Sequence, residues 1–259
     1  MDFSKLEFWF VVGSQELYGS EVLETVARRG AEMAESISAC AYVPCKLVYK
    51  GTMKTSAEIT GVIRDANYSG SCCGVIVWCH TFSPGKMWIE GLRMLQKPYC
   101  HFATQYNRNI PYKEIDMDFM NLNQAAHGDR EHGHIGARTL MNRKIIAGYW
   151  QDDEPLREIG QWMRSAVGYK AGRELRVMRF GDNMREVAVT EGDKVEAQIR
   201  FGWQVNTWPV GYLAEEIEKV SKSDIDSEFL KYKEKYELST NNIDAVRYQA
   251  RMEIAMGRI

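Results

Sequence analysis

Hydrophobic residues near the amino terminus form a nearly unbroken run, and a helical pattern follows it. Residues 7–14, EFWFVVGS, are almost all apolar, which is typical of a strand buried on both faces of a parallel sheet. After a short polar loop, apolar residues recur at helical spacing from Leu23 to Ile37. The pattern predicts a strand, a loop and a helix. The loop lies at the carboxyl end of the strand, where open α/β sheets bind ligands.

The same alternation continues along the chain. Helices are predicted from the capping box at residues 55–58, from residue 87, within 116–142 and from residue 153. Further strands are predicted at residues 44–50, 74–79, 99–105 and 144–150. Five strands alternating with helices predict a doubly wound parallel five-stranded sheet of the flavodoxin/Rossmann-like α/β class. We assign residues 1–171 to this amino-terminal domain.

The pattern breaks near residue 172 and then begins again. Strands are predicted at residues 175–181 and 203–208, and helical periodicity follows over 210–220, 228–236 and 242–259. Two strands are too few for a self-sufficient sheet. We therefore interpret residues 172–259 as an incomplete second α/β domain and expect the chain to be part of a longer protein.

Candidate ligand contacts lie in the loops that follow predicted strands. Gln15 and Tyr18 follow the first strand, and His80 and Phe82 follow the third. Loop packing is an equal alternative for Gln15 and Tyr18, and a buried structural hydrogen bond is the alternative for His80. The first loop lacks the G-x-G-x-x-G pattern, so nothing indicates a dinucleotide site.

A second polar turn follows the first strand of the second domain. Asp182 and Asn183 stand there, beside Arg185. These side chains suit a binding site, but Asp182 or Asn183 could instead cap the next helix.

Residues 117–134 carry three of the five histidines together with amides and carboxylates. As a helix, this stretch places Gln124, His127, Glu131 and His134 on one face. Such a face suits hydrogen bonding to a small polyol or ligation of a metal ion. It equally suits a solvated, salt-bridged surface, and the pattern leaves these alternatives open.

Composition and charge predict which partners the protein has and where in the cell it lies. The 259 residues carry a formal net charge of -2 and contain no cluster of Lys and Arg, so we expect no nucleic-acid partner. We find no signal-peptide pattern and no apolar run near the roughly 20 residues that a membrane helix needs. The six cysteines lack Cys-x-x-Cys and zinc spacing. Reduced, mostly buried thiols and a cytoplasmic location are therefore expected.

Four blocks of the sequence carry a resemblance to a known family: FVVGSQELYG at residues 10–19, WCHTFSP at 78–84, MDFMNLNQ at 117–124 with His127-Gly128 after it, and RFGDNMREVAVT at 179–190. These blocks closely resemble the L-arabinose isomerase family. The resemblance runs over essentially the whole chain, and it corresponds to the amino-terminal half of that enzyme.

The resemblance implies a sugar isomerase. Members interconvert L-arabinose and L-ribulose, and many also convert D-galactose to D-tagatose. They use a divalent ion, usually manganese (Mn2+), held by two glutamates and two histidines of the carboxyl-terminal half, and this ion can polarise the oxygens of the sugar. These four ligands match no position here, so we expect no metal ligand, no catalytic residue and no isomerisation by the 259-residue chain alone. His132 and His134 depart from the family pattern, where aromatic residues are common.

The resemblance also implies an oligomer and a supporting role in substrate binding. Members are usually hexamers of stacked trimers, in which the amino-terminal domain of one subunit helps to wall the active site of its neighbour. The positions implied to contact the neighbour's sugar are Gln15, Leu17, Tyr18, Gln124 and His127. Phe82 and Met184 are implied to line the pocket of their own subunit.

Two other functions remain open at this point. The chain could be a non-catalytic sugar-binding module, or a split subunit that needs a carboxyl-terminal partner. It could also be a stand-alone metal enzyme that uses His127, Glu131 and His134, although the resemblance does not support this.

Overall fold

The predicted apolar runs pair side by side in one parallel sheet. In the computed structural model, which describes residues 2–259, the five strands are β1 (Glu7–Gly13), β2 (Lys46–Met53), β3 (Cys72–Cys79), β4 (Tyr99–Ala103) and β5 (Lys144–Ala147). Their order in the sheet is β2-β1-β3-β4-β5, and every neighbouring pair is parallel. The predicted doubly wound α/β class is confirmed. Its topological switch point lies between β1 and β3, where the strand order reverses.

Helices cover both faces of this sheet. They are α1 (Gly19–Ser38), α2 (Ser56–Tyr68), α3 (Ile89–Met94), α4 (Met117–Leu122), α5 (Ala125–Arg138) and α6 (Asp153–Arg173). The capping box predicted before α2 is present, because the Thr55 hydroxyl accepts a hydrogen bond from the Glu58 N–H at 3.2 Å. The Glu58 carboxylate accepts the N–H of Lys54 at 2.6 Å, so two donors at the helix start are satisfied.

Alternate residues of β1 belong to two separate hydrophobic cores. Phe8 and Phe10 pack in one core with residues of α1 and α6. Trp9 and Val11 pack in the other core with residues of α2 and α3. This double burial explains why β1 is an unbroken apolar run instead of an alternating one.

The second unit, Ala171–Ile259, is a smaller α/β assembly. Its helices are α7 (Lys194–Phe201), α8 (Val210–Glu218), α9 (Lys222–Lys235) and α10 (Ile243–Arg258). Its two strands, β6 (Arg176–Phe180) and β7 (Gln204–Trp208), pair in parallel. The predicted small second α/β region is therefore confirmed. The described core around Ile217, Val220 and Ala255 is formed between helices.

The first unit comprises Met1–Lys170. Among residues 2–259, no helix combines the length and the apolar character that crossing a bilayer requires.

Gly160 provides a test of the packing of α6. A Cβ at this buried position would overlap the backbone carbonyl of Tyr42, whereas a Cβ at Gly168, two turns further along α6, would meet no atom within 4 Å. We expect Gly160→Ala to lower the free energy of unfolding by about 1–3 kcal/mol because the backbone must shift. Gly168→Ala, the matched control, is expected to be neutral or to stabilise by up to about 1 kcal/mol through helix propensity. Urea titration measures both, and equal effects of the two variants would contradict this packing.

Candidate functional site

The loops after β1 and β3 meet at the switch point of the sheet. The hydroxyls of Ser14 and Thr81, both fully buried, form a hydrogen bond of 2.7 Å. The Gln15 side-chain amide donates to the backbone carbonyl of Phe82 at 3.2 Å. The two loops thus support each other, although 67 residues separate Gln15 from Phe82 along the chain.

His127 reaches this same place from α5. Its exposed imidazole stacks against the Phe82 ring, with 4.2 Å between ring centroids and 20° between the planes. The structure therefore brings together three of the predicted site residues, Gln15, Phe82 and His127. They present an amide, an aromatic face and an imidazole at the carboxyl end of the sheet.

The stretch that carries His127 differs from the single helix expected over residues 116–142. It forms α4 and α5, with Asn123 and Gln124 outside helical geometry between them. The Phe119 carbonyl accepts both the Asn123 side-chain amide at 2.8 Å and the Asn123 backbone N–H at 3.0 Å at the end of α4. Gln124 is the N-cap residue of α5, and its carbonyl accepts the Gly128 N–H at 3.2 Å, so it lies at the start of the helix that carries His127.

Gln124 and His127 both line one cavity, whose volume is about 490 Å³. Its walls combine apolar side chains with amides and one guanidinium. The other lining residues include Ile110, Ile115, Phe119, Met120, Asn107 and Arg130. A cavity with apolar walls and a few polar groups is typical of a small-molecule site.

Leu17 and Tyr18 lie in a single 3-10 turn, Glu16–Tyr18, just after the loop at Gln15. Leu17 is 83% exposed, and Tyr18 is half-buried. Their expected contact with a sugar stays a prediction.

Met184 belongs to the second unit, where its side chain is 63% exposed. Its expected contact with the substrate also stays a prediction. The residues before it do not cap a helix, because Asp193 accepts the Glu196 N–H at 2.8 Å and caps α7. Asp182 instead lies 3.5 Å from both Arg179 and Lys194.

His80 has a structural environment. Its ring is fully buried, stacks on Trp78 with 4.6 Å between centroids, and lies with its Nε2 3.2 Å from the Arg29 guanidinium. Burial, opposed by a backbone hydrogen bond and assisted by the charge of Arg29, lowers the pKa of His80 to about 3. The structural alternative therefore describes His80 better than a ligand contact does.

The inner face of α5 carries a buried polar cluster that the sequence did not predict. Asp129 lies 2.7 Å from the Nε2 of His101 on β4, and His132 is hydrogen-bonded to the hydroxyl of Tyr99. Desolvation raises the pKa of Asp129, and it holds the pKa of His132 well below its usual value. These pairs come from residues about thirty positions apart, so only the parallel sheet brings them together.

The implied Mn2+ does not fit the residues present. Within residues 2–259, no group of three or more His, Cys, Asp or Glu side chains is arranged to hold a metal ion. Glu131, one member of the alternative metal face, accepts a hydrogen bond from the Gly85 N–H at 2.8 Å. We therefore assign no step to a metal bound by these residues.

The fold and the site together define a structural class of protein. The chain contains a flavodoxin-like α/β unit with polar and aromatic side chains collected at its switch point. Sequence comparison then identifies the family. The L-arabinose isomerase N-terminal domain matches residues 2–174, and the L-arabinose isomerase central domain matches residues 176–259. The chain belongs to the L-arabinose isomerase family.

Individual relatives agree with this assignment. The L-arabinose isomerase of Thermotoga neapolitana is 50% identical over 258 residues, which cover 99% of this chain and 52% of that protein. L-arabinose isomerase 1 of Clostridium acetobutylicum is 52% identical over 246 residues, which cover 95% of this chain and 50% of that protein. The chain thus spans about half the length of the curated relatives it matches.

The two buried histidines predict how stability depends on pH. His80 and His132 have depressed pKa values in the fold and ordinary values near 6.5 when unfolded. Their stabilising effect is therefore complete above pH 6.5, and it is lost as pH falls below that value. Between its folded and unfolded pKa values, each histidine lets the unfolded state bind up to one more proton than the folded state, which steepens the loss of stability as pH falls. Denaturant titrations between pH 6.5 and 5 measure how the free energy of unfolding depends on pH. We expect this dependence to be weaker in His132→Gln than in the wild-type chain by the contribution of about one proton. An unchanged dependence would contradict the burial of a neutral His132.

Proposed function

We propose that this chain supplies the sugar-contacting wall of an L-arabinose isomerase. The reaction is the aldose–ketose interconversion of L-arabinose and L-ribulose, and we include D-galactose and D-tagatose as a second substrate pair. One observation carries the proposal: Gln15, Phe82 and His127 meet at the switch point of a chain that belongs to this family.

The chemistry of these groups suits a polyol. A side-chain amide both donates and accepts hydrogen bonds, and an imidazole can do the same, which matches the hydroxyls of a sugar. The Phe82 ring offers an apolar surface for the carbon-bound hydrogens between them. We assign Gln15, Leu17, Tyr18, Gln124 and His127 to binding and orienting the sugar. We assign Phe82 to the same wall because its ring stacks on His127, which revises the expectation that Phe82 lines the pocket of its own subunit. Met184 is assigned to lining the pocket of its own subunit.

The chemical step belongs elsewhere in the proposed enzyme. In this proposal Mn2+ and the groups that move protons come from protein outside these 259 residues, because the described residues contain no suitable ligand cluster. The chain alone is therefore proposed to be inactive. We further propose a cytoplasmic homo-oligomer, a trimer or a hexamer, in which the wall serves a neighbouring subunit.

The same absence of a ligand cluster also favours a second candidate. The chain could act as a non-catalytic sugar-binding module, or as a split subunit that joins a separate carboxyl-terminal partner. The binding module would be favoured if the chain binds L-arabinose but gains no isomerase activity when it is joined to a metal-bearing half.

A chimera tests the proposed function directly. Residues 1–259 would replace the matching half of the Thermotoga maritima L-arabinose isomerase, to which the chain is 50% identical. With Mn2+, the chimera should form L-ribulose from L-arabinose, whereas the 259-residue chain alone should form none. A folded, metal-loaded chimera without activity would contradict the proposed role, as would turnover by the chain alone.

A substitution in the same chimera tests His127. His127→Ala should lower kcat/KM for L-arabinose roughly tenfold, because one hydrogen bond to a polar ligand is lost. His134→Ala is the matched control, since it removes an exposed imidazole from the same helix. Equal activity of the two variants would remove His127 from the proposed wall.

A further inference from the structure

One face of α5 holds the loop that follows β3 at successive turns of the helix. His127 stacks on the Phe82 ring at one turn. The next residue, Gly128, packs its backbone directly on the loop, because a Cβ there would lie 2.8 Å from the Cβ of Cys79 and 3.3 Å from the Thr81 carbonyl oxygen. Helix and loop therefore meet without an intervening side chain.

Glu131 completes this contact one turn later. Its carboxylate accepts a hydrogen bond from the Gly85 N–H at 2.8 Å. A Cβ on Gly85 would lie 2.9 Å from the Glu131 carbonyl oxygen, so the two backbones also touch. A carboxylate that accepts a backbone N–H forms one of the stronger hydrogen bonds in proteins. Glu131 thus ties the far end of the loop to the helix that bears His127.

We propose that Glu131 is a positioning residue for the sugar wall, an inference that rests on the proposed function. Its hydrogen bond fixes the loop of residues 81–85 against α5. That loop carries the Phe82 ring, which supports the His127 imidazole, and the Phe82 carbonyl, which holds the Gln15 amide at 3.2 Å. Glu131 itself touches no sugar. It sets the spacing of two polar groups that do.

The experiment uses the 259-residue chain and four substitutions. Glu131→Ala removes the acceptor, whereas Glu131→Gln keeps a neutral oxygen acceptor in the same place. Glu35→Ala is the matched control, because Glu35 is an exposed carboxylate in α1, away from the site. Two NMR observables report the local geometry without any sugar: hydrogen exchange of the Gly85 amide, and the ring-current shift that Phe82 imposes on the His127 ring protons. Phe82→Leu gives the reference shift of His127 without an aromatic neighbour.

The proposal predicts a local and graded result. In Glu131→Ala, the Gly85 amide should exchange about tenfold faster, as expected from loss of a charge-assisted hydrogen bond. The His127 protons should move towards their positions in Phe82→Leu. Glu131→Gln should restore most of both signals, and Glu35→Ala should change neither. Unchanged Gly85 exchange and His127 shifts in Glu131→Ala would overturn the proposal, as would an equal effect of the control.

Two further measurements make the outcome decisive. If Glu131→Ala does not fold, Glu131→Asp tests the same hydrogen bond to the Gly85 N–H. The shorter side chain keeps the charge but places the carboxylate one methylene further from that N–H. Titration of L-arabinose into the chimera with the metal-bearing half, with and without these substitutions, then separates this proposal from the proposed function. The dissociation constant should rise about tenfold in Glu131→Ala and stay near the wild-type value in Glu131→Gln. An unsubstituted chimera that is folded and metal-loaded but gives no response to the sugar would count against the proposed function, while the Gly85 and His127 signals would still decide the role of Glu131.

Discussion

The parallel pairing of β1 with β3 is the interaction on which the candidate site depends. The pairing runs in register from Phe8 opposite Gly74 to Gly13 opposite Cys79, so both strands end at the same level. The crossovers that leave these strands lead to β2 on one side and β4 on the other. Between them the two loops lie next to each other, as expected at a topological switch point. Gln15 and Phe82 owe their contact to this topology.

Two pairs of buried polar groups beneath the site satisfy one another. The buried hydroxyls of Ser14 and Thr81 share a hydrogen bond, and the Trp88 indole donates to the Ser83 hydroxyl at 2.9 Å. Leaving such groups unpaired in the interior would cost about 1–3 kcal/mol each. These pairs therefore favour one arrangement of the loops. The side chains of Gln15 and His127 lie above these two hydrogen-bonded pairs.

The sequence predicted the features that depend on local pattern. Unbroken apolar runs marked strands buried on both faces, and the capping box at Thr55 marked the start of a helix. Loops at strand ends marked Gln15 and Phe82 as neighbours of a ligand site, and the structure does bring these two residues together.

The features that depend on distant partners were not predictable in this way. The expected long helix is interrupted at Asn123 and Gln124, whose backbones leave helical geometry, a feature that hydrophobic spacing does not reveal. Asp129 and His132 looked like members of a solvated or ligand-binding stretch, but they face His101 and Tyr99 on β4. Only the sheet order places those side chains opposite α5. For the same reason Glu131 was grouped with candidate ligands, although its partner is the Gly85 amide.

The central claim is that a sugar lies against the surface formed by Gln15, Phe82 and His127. The most direct test is a crystal structure of the chain, joined to the metal-bearing half of a relative, with the unreactive polyol L-arabitol bound. We expect polyol oxygens within about 3.2 Å of the Gln15 or Gln124 amide and of the His127 imidazole. A well-ordered polyol bound elsewhere, with water alone against Gln15, Gln124 and His127, would contradict this claim.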